Sequence, residues 1–386
     1  MNHVPVTVSG RPSVVFLNNQ GLASIGGGVT ILRHLVAGLA ADCRLTVLSH
    51  DPPASGVDFV RQVTVPPPPP MGALWRLAPL VRARHLARVV PAAELAAADL
   101  VVALDCHFAP LLRRTRPRRL IYLSLSCIPR QEWFAAYGGQ ALLRFAQYMH
   151  LERRVIRIAD VVVVSSATHA AELRRFELLP GLDPVVLPPV FRGERFARRT
   201  ERAGPVTILS AGRLDTVKNY AAVIEMAARL RDLPCRFVIA GDGPDAATLR
   251  QRAVAAGIAD RVEFTGPVAD VGTLLAEADL FLHPSRYESF GIAVFEAMRA
   301  GVPPICASRA VAGYREITHD GVDSCFVDFD RPDAAAAAIR ALVTDPARRA
   351  TMSAAARDAA ERVSAWDYTA AFRGIVHRLL GEAVTA

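Results

Sequence analysis

Residues 206–220 read VTILSAGRLDTVKNY. The first five, 206–210, are apolar or β-favouring without polar alternation, which predicts a strand buried on both faces of a parallel sheet. A glycine and a loop carrying two cations, Arg213 and Lys218, follow, and a helical pattern begins after Tyr220. Upstream, 192–204 (RGERFARRTERAG) is charged and lacks apolar periodicity, so it predicts a linker. On its far side the same alternation has already run once. Strands are predicted at 13–17 (SVVFL), 45–49 (LTVLS), 100–104 (LVVAL), 120–123 (LIYL) and 161–165 (VVVVS). After the linker they are predicted at 206–210, 236–240, 262–264, 280–283 and 304–307. Helical spacing fills the gaps, for example at 30–40, after the N-cap Ser166, and at 291–300. The tail 333–363 and a last segment, 366–380, also read as helical. The fold class is therefore α/β, with two doubly wound domains at 1–195 and 204–365 and a terminal helical segment at 366–386. In such sheets ligands bind at the carboxyl ends of the strands, so a cleft between the halves is the expected site.

Composition bounds the function. The chain has 386 residues, 52% of them hydrophobic and 21% charged, enough for two packed cores and too apolar for disorder. Charges interrupt every apolar run before it reaches bilayer-spanning length, and the first residues lack a signal-peptide pattern. The six cysteines are scattered without a Cys-x-x-Cys pair, which suits reduced thiols in a cytoplasmic protein better than disulfides or zinc. A net charge of +8 admits nucleic acid, anionic lipid or phosphorylated substrates as partners. No basic run is interleaved with aromatics, which argues against nucleic acid. Residues 66–70 are five prolines, a stiff connector. The following 71–90 (MGALWRLAPLVRARHLARVV) alternates arginine with apolar residues at helical spacing. It reads as an ordinary amphipathic surface helix interrupted at Pro79; the alternative is peripheral contact with an anionic membrane.

Four stretches carry candidate chemistry. In 283–301 (HPSRYESFGIAVFEAMRAG) a strand ends and a helix begins at Phe290, Gly291 and Ile292. Its amide groups and dipole make an anion site that Gly291 lets a phosphate approach. Glu288 precedes this helix and Glu296 lies within it, so two carboxylates can take hydroxyls at the two ends of one ligand. A purely structural alternative makes Glu288 a first-turn charge on the dipole and Glu296 a solvated face. In 211–220, Arg213 and Lys218 can clamp a diphosphate, with Lys218 the single lysine among 45 basic residues; the structural alternative is a surface pair neutralising Asp215. Gly26, Gly27, Gly28 and Val29 form a glycine turn after the first strand, but the spacing is not Gly-x-Gly-x-x-Gly and no acid closes the second strand for a ribose, which disfavours an NAD-dependent dehydrogenase. The fourth, AGDGP at 240–244, reads as a structural turn.

Taken together these residues resemble the retaining glycosyltransferases of family 4, which have the GT-B fold of two Rossmann-like domains facing a cleft. The resemblance covers 206–366, through AGRLDTVKN, IAGDGP, FTGPV, LFLHPSRYESFGIAVFEAMRAGVP and the DFDRPDAAAAAIRALVTDP tail in that family's order. The first half matches more loosely, through GGV at 27–29 and VVSSATHAAEL. The resemblance implies that Arg213 and Lys218 hold the donor's diphosphate and that Glu288 binds the donor sugar. Phe290, Gly291 and Ile292 would touch sugar and phosphate through their backbone, and Glu296 would bind the ribose. Gly27 and Gly28 would admit the phosphates and acceptor, and the last helix would cross back to the first domain. Two departures stand out. The family often carries a histidine in the loop after the strand matching LIYL, where this chain reads SLSCIPRQEW; His107, in ALDCHFAP, is the candidate substitute. Residues 187–191 read LPPVF where relatives often carry Asn-Gly.

The implied reaction moves a sugar from a nucleoside diphosphate sugar to an acceptor hydroxyl, with retention and with cationic side chains in place of a metal. No cofactor beyond the sugar nucleotide is expected. Asp328 and Asp330 look like a metal pair but read as structural. Alternatives are an epimerase or phosphorylase of the same fold, or a non-catalytic sugar-nucleotide-binding protein. A phosphorylase would need a lysine for pyridoxal phosphate, and Lys218 is already used. The acceptor is either a small molecule or lipid-linked, and the expected location is cytoplasmic, with peripheral membrane contact through 71–90 as the option.

Overall fold

The computed structural model describes residues 10–22, 26–55, 57–68, 78–125, 141–177, 179, 181–191, 204–268 and 270–381. The chain divides into two compact units: Met1–Pro189 with Asp367–Ala386, and Val190–Trp366. The proposed linker lies outside the described residues except at Gly204, as do 71–77 of the basic segment and most of the SLSCIPRQEW loop.

In the first unit the described strands are β1 (Ser13–Leu17), β2 (Arg44–Ser49), β3 (Val60–Thr64), β4 (Leu100–Ala103), β5 (Leu120–Leu123), β6 (Val161–Val164) and β7 (Val185–Val186). They form one parallel sheet in the order β3-β2-β1-β4-β5-β6-β7. The order reverses direction between β1 and β4, which is the switch point of a doubly wound sheet. β4 and β5 are buried along their whole length, as runs such as LVVA and LIYL require when helices cover both faces. The helices are α1 (Gly27–Leu39), α2 (Ala78–Val89), α3 (Ala92–Ala97), α4 (Ala109–Thr115), α5 (Ala141–Ile156) and α6 (Ala167–Glu177). Two readings need correction. Within the described residues Pro79 does not break α2: it sits in that helix's first described turn, where a missing N–H is tolerated. The glycine turn is confined to Gly26, the N-cap of α1, because Gly27 and Gly28 are already helical. Ala83 and Leu86 of α2 are fully buried in the unit's core beside residues of α4 and α5.

The second unit repeats the plan. Strands β8 (Val206–Ala211), β9 (Cys235–Ala240), β10 (Val262–Gly266), β11 (Leu280–His283), β13 (Pro304–Ala307) and β15 (Cys325–Val327) form a parallel sheet in the order β10-β9-β8-β11-β13-β15. Its switch point lies between β8 and β11. A separate two-stranded pair, β12 (Tyr287–Glu288) with β14 (Val311–Ala312), stands at the end of β11. The helices are α7 (Tyr220–Arg229), α8 (Ala246–Ala255), α9 (Gly272–Leu275), α10 (Ile292–Arg299), α11 (Pro332–Thr344) and α12 (Pro346–Ser364). The helical tail is thus two helices. Asp345 separates them, its side chain accepting from the Arg348 amide at 2.9 Å, and Pro346 starts the second. The last helix, α13 (Tyr368–Leu380), is capped by Asp367 and packs against α1 in the first unit.

The AGDGP turn has a role that its composition only hints at. Gly241 has φ +132°, and a Cβ there would lie 1.9 Å from the carbonyl oxygen of Gly212. The Leu214 amide bonds to the Asp242 carbonyl at 2.9 Å, and the Asp245 amide to the Leu214 carbonyl at 3.0 Å. The turn therefore braces the loop that carries Arg213 and Lys218. Gly241→Ala is expected to destabilise the second unit by roughly 2–4 kcal/mol, through backbone strain and overpacking, read as a fall in the urea midpoint. An unchanged midpoint would show that the two loops can move apart freely.

Candidate functional site

In the second unit, the loops that follow β8 and β11 meet at the switch point. After β8 the chain turns at Asp215, whose carboxylate accepts from the Lys218 amide at 3.1 Å. This is the side-chain turn that aspartate favours. Asn219 then takes a left-handed conformation, φ 55°, that asparagine tolerates and most residues do not, and α7 starts behind it. The Arg286 amide bonds to the Val217 carbonyl at 2.9 Å and ties the β11 loop to this turn. Lys218 Nζ consequently donates to Glu288 Oε1 at 2.6 Å, across 70 residues of sequence. His283, the last residue of β11, donates through Nε2 to the same oxygen at 2.7 Å.

Glu288 is 9% exposed. Burial by itself would push its carboxyl up. The charge of Lys218, that of His283 when protonated, and hydrogen bonds from both outweigh it and hold the carboxyl well below the usual carboxylate range. Arg213 is different: it stays largely exposed, with Nε 3.6 Å from Asp215 Oδ2. The charge pair at Asp215 is thus made by Arg213, and Lys218 belongs to Glu288.

Next in the chain is the start of α10. Gly291, its N-cap, has φ +95°, and a Cβ there would lie 2.8 Å from the Tyr314 ring. Both the conformation and the space require glycine. Gly291 offers no side chain to cap this end, where the first amides of the helix and its positive dipole end lie. Glu296 lies on α10 and is partly buried. Burial raises its carboxyl to about 7, against the pull of Arg299 and with the added push of Asp270. Glu296 is therefore not the solvated charge of a surface helix.

The first unit has its own polar cluster at its switch point. Asp105, after β4, accepts from the side chain of Asn19, after β1, and from His107 Nδ1 at 2.5 Å. Burial works against ionisation of Asp105, but the charge and hydrogen bonds of His107 hold its carboxyl below the ordinary value. His107 is 5% exposed, with its ring edge-on to Tyr148. Gly27 and Gly28 form the first turn of α1, in the same unit. A second buried set adjoins β5. Tyr122 and Ser124 donate to Glu152 Oε1 at 2.8 and 3.1 Å, and Ser124 Oγ lies 3.3 Å from His169 Nε2. Burial pushes Glu152 up to about 7 and His169 down to about 3, so this histidine is neutral.

Sequence reading nominated Lys218, Glu288, Gly291 and Glu296 in the second unit, but it missed His283 there and Ser124 and His169 in the first unit. His283 was seen only as a strand end, although its position directly before Pro284, at a carboxyl end, was the available signal. Ser124 and His169 carried no local signal, because they meet only through the pairing of β5 with β6. Asp328 accepts an ion pair from Arg309 at 3.0 Å, and its neighbour Asp330 donates its amide to Asp328 at 3.1 Å, an internally bonded strand end. Among the described cysteines, Cys43, Cys106, Cys235, Cys306 and Cys325 are buried and form no disulfide.

Residues 192–359 match the model of the family described as glycosyl transferases group 1. A D-inositol 3-phosphate glycosyltransferase of Geodermatophilus obscurus is 36% identical over 246 residues, 56% of this chain and 52% of that protein. The alpha-D-kanosaminyltransferase of Streptomyces kanamyceticus is 32% identical over 219 residues, 52% of this chain and 56% of that protein. The chain thus spans little more than half the length of these relatives. Anabaena HepE, solved with UDP and glucose, superposes with a TM-score of 0.73 at 19% identity, over 95% of this chain and 98% of that one. The chain has the GT-B fold, and its residues 192–359 match the group 1 glycosyltransferases.

Proposed function

We propose that this protein is a retaining glycosyltransferase of family 4 that moves a sugar from a nucleoside diphosphate sugar to an acceptor hydroxyl without a metal. The observation that carries the reading is the Lys218–Glu288 pair at the switch point of the second sheet, immediately before the glycine-capped start of α10. A cation and a helix N-terminus beside each other suit a diphosphate, and a carboxylate next to them suits the sugar's hydroxyls. Arg213, exposed and on the same loop, supplies a second cation. As the bond from the anomeric carbon to the diphosphate breaks, charge grows on the leaving oxygens, and these groups are in place to stabilise it. The leaving phosphate takes the acceptor's proton on the same face, so no separate protein base is required. The family match favours transfer over epimerisation or passive binding.

The first unit would then hold the acceptor, at the strand ends that present Asn19, Asp105 and His107, with Gly27 and Gly28 close by in sequence to Asn19. His107 has Nδ1 committed to Asp105, which leaves Nε2 to meet an acceptor hydroxyl. A relative named for D-inositol 3-phosphate favours a polyhydroxylated ring as acceptor. The inward-packed apolar face of α2 favours a water-soluble acceptor over a lipid-linked one. No helix among the described residues is long and apolar enough to cross a membrane.

Calorimetry with UDP, GDP, ADP and NAD, with and without magnesium, tests the reading. One nucleoside diphosphate should bind independently of magnesium, and the anomeric configuration of the product should match that of the donor. Binding of NAD alone, or an inverted product, would overturn it.

Glu296 adds a pH signature. Its free carboxyl titrates at about 7, above the ordinary 4.5, so part of the population is protonated at neutral pH. Accepting two ribose hydroxyls requires the carboxylate. Binding must therefore expel the proton, and nucleotide affinity should rise about tenfold from pH 6 to pH 8. Glu296→Gln should flatten that rise, leaving only the titration of the diphosphate itself. The sign for stability is opposite: a raised acid favours the folded state fully below its unfolded pKa, and that contribution is lost as pH climbs through about 7. Equal pH slopes in wild type and the glutamine variant would remove Glu296 from the ribose site.

A further inference from the structure

Lys218 Nζ and His283 Nε2 converge on one oxygen, Glu288 Oε1, at 2.6 and 2.7 Å. The two donors differ in freedom. The Lys218 side chain is 28% exposed and hangs on a flexible four-carbon stem. His283 is 5% exposed and fixed: its ring stacks on Phe281 with centroids 5.8 Å apart and meets the Tyr314 ring edge-on at 5.8 Å. Tyr220, Cys306 and Tyr314 also face Glu288, and burial keeps all three neutral. Lys218 is therefore the mobile partner of a buried carboxylate and His283 the stationary one.

This asymmetry matters if Lys218 is to serve a diphosphate. Moving its ammonium off Glu288 onto phosphate would orphan a buried carboxylate, which is costly unless another donor remains. We propose that His283 is a positioning residue: it keeps Glu288 ionised and oriented while Lys218 transfers from the carboxylate to the donor's diphosphate. The proposal rests on the nucleoside diphosphate reading above. With Oε1 saturated by His283, Glu288 Oε2 is the oxygen left to accept from the sugar. Donor arrival and carboxylate release then become one exchange of partners.

The test is a double-mutant cycle on nucleoside diphosphate binding, with UDP and GDP as probes. His283→Phe keeps a ring between Phe281 and Tyr314 and removes the donor; its Kd should rise about tenfold, because Lys218 is then held on Glu288. His283→Gln restores an N–H donor and should bind within about threefold of wild type. In a Lys218→Ala background the His283→Phe penalty should nearly vanish, since there is no lysine left to release. In turnover, His283→Phe should raise the donor KM more than it lowers kcat. Should the phenylalanine variant not fold, His283→Asn, too short to reach Glu288, carries the same expectations. Wild-type affinity in the variants that lack the donor, or penalties that add in the double variant, would overturn the proposal while leaving the diphosphate clamp intact. If wild type binds no nucleoside diphosphate, or Lys218→Ala binds as wild type does, the clamp fails and the role of His283 fails with it.

Discussion

Glu288→Gln is expected to lower kcat/KM for sugar transfer by about a thousandfold with little loss of fold. The amide occupies the carboxylate's volume, so the packing against β14 and Tyr314 survives. What changes is charge. Glu288 is held well below the usual carboxylate range by Lys218 and His283, despite burial that pushes the other way. The glutamine removes the anion that organises both donors, and its amide N–H₂ would face one of them. The sign of the pH effect follows from the depressed carboxyl. Its stabilising contribution is complete above the unfolded value and is lost as pH falls through the folded one. The wild type should therefore lose more stability than the variant on acidification below about pH 4, visible as converging urea midpoints. Retained turnover in Glu288→Gln would remove this carboxylate from the sugar site.

Lys218→Arg is expected to reduce kcat/KM by about a hundredfold although the charge is kept. The ammonium reaches a single oxygen at 2.6 Å within a loop tied down at Asp215 and Arg286. A planar guanidinium is longer and wider than that space was shaped for, and it cannot rotate its donors from carboxylate to phosphate as an ammonium can. Lys218→Ala should fare worse in binding. It should also cost about 3 kcal/mol of stability, the low end for breaking a buried pair, because His283 stays on the carboxylate. Steady-state kinetics and urea unfolding on the two variants separate these effects. An arginine variant with wild-type kinetics would mean that any cation suffices at this position, and that the chain's single lysine is there by chance.

Much of this was legible in the residues themselves. Runs such as LVVA, LIYL and LFLH pack on both faces, and no arrangement but a covered parallel sheet buries them so completely. The strands that escaped notice were those without such runs. β3 (VRQVT) is a polar edge strand, β7 is two exposed valines paired with β6, and β12, β14 and β15 are only two or three residues long. Their pairing comes from a neighbour's free backbone groups and leaves little trace in side-chain pattern. The break at Asp345 was written in plain helix-boundary residues that a long periodic stretch masked.

Residue type and strand-end position were enough to nominate Lys218, Glu288 and Glu296, because glycine turns, cations and acids at carboxyl ends carry chemistry wherever the sheet puts them. Periodicity is local, and it encodes which face of an element is buried. Partnership is not local. Lys218 reaches Glu288 because β8 and β11 are sheet neighbours, His283 shares the oxygen because the turn after β11 brings Glu288 back to that strand's last residue, and Asp105 meets Asn19 because β1 and β4 pair. Those meetings are set by strand order and by the burial that raises the cost of every unpaired charge, and neither can be read from spacing along the chain.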